Sequence, residues 1–142
     1  MPYSADLMYG IVADVERYPE FVPWCAGLRV LERGREAGRD YMIAETRIGY
    51  RSLREQYKSL VWLDPAQRMI DVTQTEGPFR RLENHWRFTP SAPGCRVQFS
   101  IAFEFKSRVL GMVAAAALGP VMARMTDAFE GRARVLSRKG KP

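Results

Sequence analysis

The chain has 142 residues, 46% of them hydrophobic and 27% charged, with a formal net charge of +6 at pH 7. That length suits a single domain with a real core, and the composition excludes a disordered or low-complexity chain. Cys25 and Cys95 have neither metal-ligand spacing nor a disulfide framework around them, so buried, reduced thiols in a cytosol are expected, and no secretory signal opens the sequence.

Residues 1–3 are too short for a useful strand. Ser4 can cap a helix running to about Ala13, with Asp6 in its first turn and Leu7, Met8, Ile11 and Val12 as its apolar face. Residues 14–18 predict another turn or two, ended by Pro19. In the stretch Tyr18-Pro19-Glu20-Phe21-Val22-Pro23-Trp24-Cys25 two prolines fix the backbone while three aromatic rings offer rigid apolar faces. Such a segment suits a gate or floor better than a surface loop.

Residues 28–33 and 39–48 read as a hairpin around 34–38, and 50–63 as a long strand in which Leu53, Tyr57 and Val61 alternate partly with charged residues. Asp64-Pro65 turns the chain into a strand over 68–76 with Ile70 and Val72 on one side. Gly77-Pro78-Phe79 breaks the ladder. In the next strand Leu82, Asn84, Trp86 and Phe88 share one face, while Arg81, Glu83, His85 and Arg87 share the other. After a turn over 90–94, the strand over 95–106 puts Val97, Phe99, Ile101, Phe103 and Phe105 on one face. No repeat or linker interrupts this order.

Residues 107–137 predict one long helix, because Leu110, Val113, Ala117, Val121, Met125, Ala128 and Phe129 recur at three- and four-residue spacing. A single amphipathic helix across one curved antiparallel sheet satisfies both apolar surfaces, an α+β grip. Ala114, Ala115, Ala116 and Ala117 give this helix a thin waist, and Pro120 predicts a kink. Opposite bulky aromatics a thin waist leaves a cavity; the alternative is close helix–sheet packing. The apolar stretch 109–123 is too short to span a membrane, which takes about 20 residues. After Glu130 come Arg132, Arg134, Arg138, Lys139 and Lys141 with no acid among them. This tail could meet anionic lipid or RNA phosphate, or simply be solvated and suit the helix dipole.

Catalytic motifs are sparse. His85, the one histidine, lies on a charged strand face, and no cluster has metal spacing or the Gly-rich turn of a phosphate cradle. Glu83 and Glu104 are unpaired for acid–base work. The inward face is apolar and aromatic, with Asn84 as a polar group, so the chain is expected to bind a flat or isoprenoid hydrophobe rather than act as an enzyme. A plain filled core is the alternative for the same residues.

The run Ala13-Asp14-Val15-Glu16-Arg17-Tyr18-Pro19-Glu20-Phe21-Val22-Pro23-Trp24-Cys25 resembles the signature of the coenzyme Q-binding START-domain family, within the polyketide cyclase/START-like superfamily. Gly77-Pro78-Phe79-Arg80-Arg81-Leu82 with Trp86 and Phe88 resembles a second motif, and Phe103-Glu104-Phe105 before the small-residue helix a third. The resemblance covers nearly the whole chain and implies a START-like helix-grip: residues 1–142 as one domain, with a basic tail over 131–142 and a hydrophobic tunnel under the helix. It implies non-enzymatic ubiquinone binding that supports respiration. A RatA-type branch, binding the large ribosomal subunit and blocking subunit association, is the alternative; cyclases of the superfamily are a third reading. Matching the first two motifs, Tyr18, Phe21, Pro23, Trp24, Phe79, Leu82 and Trp86 are expected to line or gate the tunnel, joined by Asn84, Phe88, Phe103, Val113, Ala117 and Val121. No metal or cofactor is expected beyond ubiquinone as bound ligand, and no DNA partner. An anionic membrane surface is the expected partner of the tail, in a cytoplasmic bacterial protein peripheral to the inner face. Family members carry a strand before the first helix, so either the start lies upstream or the sheet lacks an edge strand, which would invite pairing at the exposed edge.

Overall fold

A computed structural model of the chain describes residues 2–22, 24–50 and 53–139; the side chains at 50, 53, 110, 113, 114, 117, 118, 138 and 139 lie outside that description. Helix α1 spans Ala5–Ala13, with the Leu7 amide donating to the Ser4 hydroxyl oxygen at 3.1 Å. Ser4 thus satisfies one of the amides that a helix start leaves without a partner. Met8, Ile11 and Val12 of the expected face are buried, together with Ala5, while Leu7 is only half-buried. A 3-10 helix follows over Val15–Glu20 and runs one residue past Pro19, the stop read from the sequence. Helix ends fray by that much.

Six strands come next: β1 (Cys25–Glu36), β2 (Arg39–Tyr50), β3 (Leu53–Asp64), β4 (Met69–Glu76), β5 (Phe79–Ser91) and β6 (Gly94–Phe105). They form one curved sheet in the order β1-β2-β3-β4-β5-β6, each antiparallel to the next. The first hairpin is tighter than 34–38. Its loop is Ala37-Gly38, with φ of 51° and 79°, the positive pair that a two-residue hairpin turn needs to match strand twist. Gly34 therefore sits within β1, opposite Tyr41.

Helix α2 spans Arg108–Lys139 and continues through Pro120. Its two halves differ. Near its start Val109 and Met112 are 71% and 75% exposed, whereas Phe129 and Ala133 in the second half are buried. Phe129 stands edge-on to Tyr18, Phe21 and Trp86, with ring centroids 5.6, 5.3 and 5.6 Å away. The core continues through Met8 and Val12 of α1 to Met42, Val61, Ile70 and Phe88 of the sheet. One end of the long helix is thus clamped into the core.

The bend between β4 and β5 is built by side chains. The β4–β5 ladder runs from Met69↔Arg87 to Thr73↔Glu83. Beyond it the Gln74 amide substitutes for a strand: its Nε2 donates to the Phe79 carbonyl at 2.7 Å and its Oε1 accepts from the Phe79 amide at 3.1 Å. Gly77 has φ of 155°, and a Cβ there would fall 2.5 Å from Tyr57 Cβ. Gly77→Ala is predicted to destabilise by about 2 kcal/mol or more, from backbone strain plus overpacking. Gly38→Ala has a positive φ but open space around it, and should cost about 1 kcal/mol. Urea midpoints compare the two; equal losses would contradict the close approach to Tyr57.

Candidate functional site

The clamp leaves a cavity of about 270 Å³ between the concave sheet face and α2. Tyr18, Val22 and Trp24 wall one side, and Val121, Met122, Met125 and Phe129 of α2 form the roof. From the far strands come Phe79, Leu82, Asn84, Trp86, Phe99, Ile101 and Phe103. The floor is β2 to β4: Ala44, Thr46, Ile48, Tyr57, Ser59, Val61, Ile70 and Val72. Strand alternation aims these residues inward and their charged neighbours outward.

The structure brings Tyr18, Trp24, Phe79, Leu82, Asn84, Trp86, Phe103 and Val121 together on this wall. It corrects two other expectations. Phe88 lies behind the wall, 2% exposed, with its ring 6.1 Å from Trp86 and edge-on to Tyr9 of α1. Helix α1 covers that end of β5, so Phe88 fills the core. Phe21 turns away to a smaller cleft with Leu7, Ile11 and Leu136, where the Arg132 guanidinium sits 5.2 Å from its ring. Pro23 lies outside the described residues, as do the side chains of Val113 and Ala117.

Arg132 is likewise committed to the fold, 3.4 Å from Glu20 and only 20% exposed in its side chain. Arg134 is exposed; Lys141 and the side chains of Arg138 and Lys139 lie outside the description. His85 is on the exposed face as expected, its Nδ1 2.6 Å from Asp71. Among the described residues no three His, Cys, Asp or Glu side chains gather to hold a metal, and no helix is long and apolar enough to cross a membrane.

The polar groups of the wall are few. Tyr18 donates its hydroxyl to the Val12 carbonyl, tying the Pro-rich segment to the end of α1. Burial pushes that phenol far above the usual tyrosine range. Trp86 Nε1 donates to Asn84 Oδ1 at 3.2 Å, so Asn84 holds a neighbouring ring in place. The Cys25 thiol donates weakly to the Gly27 carbonyl at 3.7 Å, and burial raises its pKa. Tyr57 lies opposite Thr46 in the β2–β3 register and stands edge-on to Phe79 at 5.6 Å. Burial pushes the Tyr57 phenol up to about 12, partly offset by Thr46.

Sequence reasoning missed the β2–β4 floor. Leu53, Tyr57 and Val61 were visible as one face of β3. The signal for the rest was the same period of two, carried through Thr46 and Ser59, which read as solvent-facing by residue type.

Comparison with known proteins agrees with the geometry. A family model described as polyketide cyclase / dehydrase and lipid transport matches residues 1–130. The ribosome association toxin RatA of Escherichia coli K12 is 32% identical over 135 residues, covering 94% of this chain and 82% of that protein. The mitochondrial coenzyme Q-binding protein COQ10 homolog B of Xenopus laevis is 34% identical over 145 residues, 99% of this chain but only 58% of the relative. The solution structure of an 18 kDa protein from Caulobacter crescentus superposes with a TM-score of 0.82 at 38% identity, covering 96% of this chain and 93% of that one.

Proposed function

This chain belongs to the polyketide cyclase / dehydrase and lipid transport family, and from that membership we propose that it binds ubiquinone or a similar neutral isoprenoid lipid without transforming it, supporting respiratory electron transport or quinone delivery. One observation carries the reading. The cavity wall is mostly apolar, and its polar groups are hydroxyls, a thiol, an amide and indole N–H groups, with no ionic side chain among the described residues. Burying an apolar head there gains roughly 25 cal/mol per Å² removed from water, whereas a charged head would lose its hydration without a counter-ion.

The volume of about 270 Å³ lies near the roughly 300 Å³ at which ligand pockets begin. That is room for a ring and the first part of a tail. Cyclisation or dehydration would need a general acid and base at the reacting carbon. The raised phenol of Tyr57 and the raised thiol of Cys25 are poor bases near neutral pH, which favours binding over catalysis. The coenzyme Q-binding relative supports a quinone as the head. In this reading the protein is cytoplasmic and visits the inner face of an anionic membrane, with Arg134, Arg138, Lys139 and Lys141 as the attracting cations.

Val121→Trp puts a large ring into the roof of the cavity. It is predicted to weaken binding of a short-chain ubiquinone at least tenfold, by tryptophan fluorescence titration or calorimetry, while the far-UV spectrum stays native. Undiminished binding in the folded variant would contradict the cavity as the site.

A second reading has its own support. The chain spans 82% of a ribosome association toxin but 58% of the coenzyme Q-binding relative, and its tail carries unpaired-sign charge suited to RNA phosphate. Binding to large ribosomal subunits would then fall with salt. Replacing Arg134, Arg138, Lys139 and Lys141 by Ala is expected to lower the log–log salt slope by about 3. An unchanged slope in sedimentation assays would remove the tail from that reading. The two roles are compatible, since a filled grip can still dock on RNA.

A further inference from the structure

We propose that the outer face of the first half of α2 docks on an anionic lipid bilayer, with Val109 and Met112 entering the boundary between headgroups and acyl chains. The proposal rests on the lipid-binding reading above for the membrane as partner, and it names a contact separate from the basic tail.

Residues 109–123 carry no charged side chain. A helix laid on a sheet normally turns its apolar residues to the core and polar ones to solvent. Here Val121 and Met122 do face the cavity, but Val109, Met112, Ala115, Ala116, Gly119 and Pro120 are exposed. The spacing of Val109, Met112, Ala116 and Pro120 puts them on one side of the helix. The opposite side rests on β6, where a Cβ on Gly111 would lie 4.0 Å from the Phe105 Cβ. A Cβ on Gly119 would meet nothing within 4 Å, so the outer side is open there. Val109 and Met112, at 71% and 75%, are the most exposed of the large apolar side chains among the described residues. An uncharged stripe about 22 Å long is costly to leave in water and marks an interaction surface.

Charge selects the partner. Lys106 and Arg108 stand at the start of the stripe and Arg124 at its end, all exposed. None of the three forms an ion pair among the described residues, whereas Arg17, Arg33, Arg68 and Arg80 are each matched by a carboxylate. No Asp or Glu occurs between Glu104 and Asp127. Anionic headgroups supply the missing counter-charges at both ends, while the long basic side chains reach up to them and the face between sinks. No helix among the described residues is long and apolar enough to cross a membrane, so the contact is interfacial. A protein partner would be held through aromatic anchors and a rim of paired polar groups, which alanine, glycine and proline do not offer. A second copy packed about a two-fold axis would bring Lys106, Arg108 and Arg124 of both chains together with no acid between them.

Sedimentation with vesicles of phosphatidylcholine and phosphatidylglycerol, compared with phosphatidylcholine alone, tests this face. The native protein is expected to bind the mixed vesicles about tenfold more tightly or better. Val109→Gln with Met112→Gln removes apolar surface without changing net charge, and should weaken that binding at least about tenfold. Both side chains are exposed, so the variant is expected to keep a native far-UV spectrum. A fluorophore attached to Met112→Cys locates the contact, since Cys25 and Cys95 are buried. Brominated acyl chains are expected to quench it, and to spare the same fluorophore on Arg134→Cys. Quenching at Arg134→Cys instead would place the contact at the tail and overturn the inference. A glutamine variant that binds like the native protein, or a native protein that binds neither vesicle, overturns it as well. So does a native dimer that the glutamine variant dissolves, because a second copy then covers the face. These outcomes leave the cavity untouched, since its occupancy is read with short-chain ubiquinone and no membrane. Vesicle binding by a protein whose cavity takes no quinone overturns the lipid-binding reading and supports the docking face.

Discussion

The fold depends on how one aromatic ring is seated. Phe129, in the second half of α2, meets Tyr18, Phe21 and Trp86 edge-on within 5.3 to 5.6 Å and is buried. Edge-to-face pairs add about 0.5–1.5 kcal/mol each beyond area burial. This single residue ties the long helix to the Pro-rich segment and to the sheet at once. With that end clamped, the helix spans the concave face without closing on it, and Val109 and Met112 near its start remain exposed. A cavity under a clamped helix costs stability, because wall atoms lose contacts on one side. That cost is offset elsewhere, through the cluster joining α1 to Met42, Ile70 and Phe88.

The chemistry of the wall follows from the sheet. Antiparallel alternation sends the arginines and glutamates of β5 and β6 to the convex side, where pairs such as Arg80–Glu104 and Arg81–Glu83 form at the surface. Such exposed pairs contribute little, typically 0–1 kcal/mol, but they keep ionic groups out of the cavity. What remains inside is aliphatic and aromatic, with hydroxyls as the main polarity. An interior of this kind offers an apolar surface with few polar groups.

Most of the fold was legible in the sequence, because period and punctuation carry that information locally. Ser4, the alternation from Leu82 to Phe88, and the three- and four-residue spacing from Val121 to Phe129 each predicted an element that the structure contains. The site was legible in part. Trp86, Phe103 and Val121 could be assigned to a common interior from alternation alone. Phe88 shared that face but not the cavity, since only tertiary packing reveals that α1 covers one end of β5. Phe21 sat in a motif with Tyr18 and Trp24, yet the turn after the 3-10 helix points it to the other side of Phe129. Thr46 and Ser59 were hidden for a different reason. Their residue types suit a solvent face, and only the pairing of β2 with β3 in the middle of the sheet turns them inward. Arg132 read as part of a free basic tail, but its contacts with Glu20 and Phe21 are long-range and have no local signature.

The cavity under α2 is proposed to hold a neutral lipid. The most direct measurement is mass spectrometry of an organic extract from gently purified protein, with the lipid quantified against protein. A neutral isoprenoid quinone or a similar lipid approaching one per chain is expected. An extract with no lipid, or with an anionic lipid at that ratio, would contradict it.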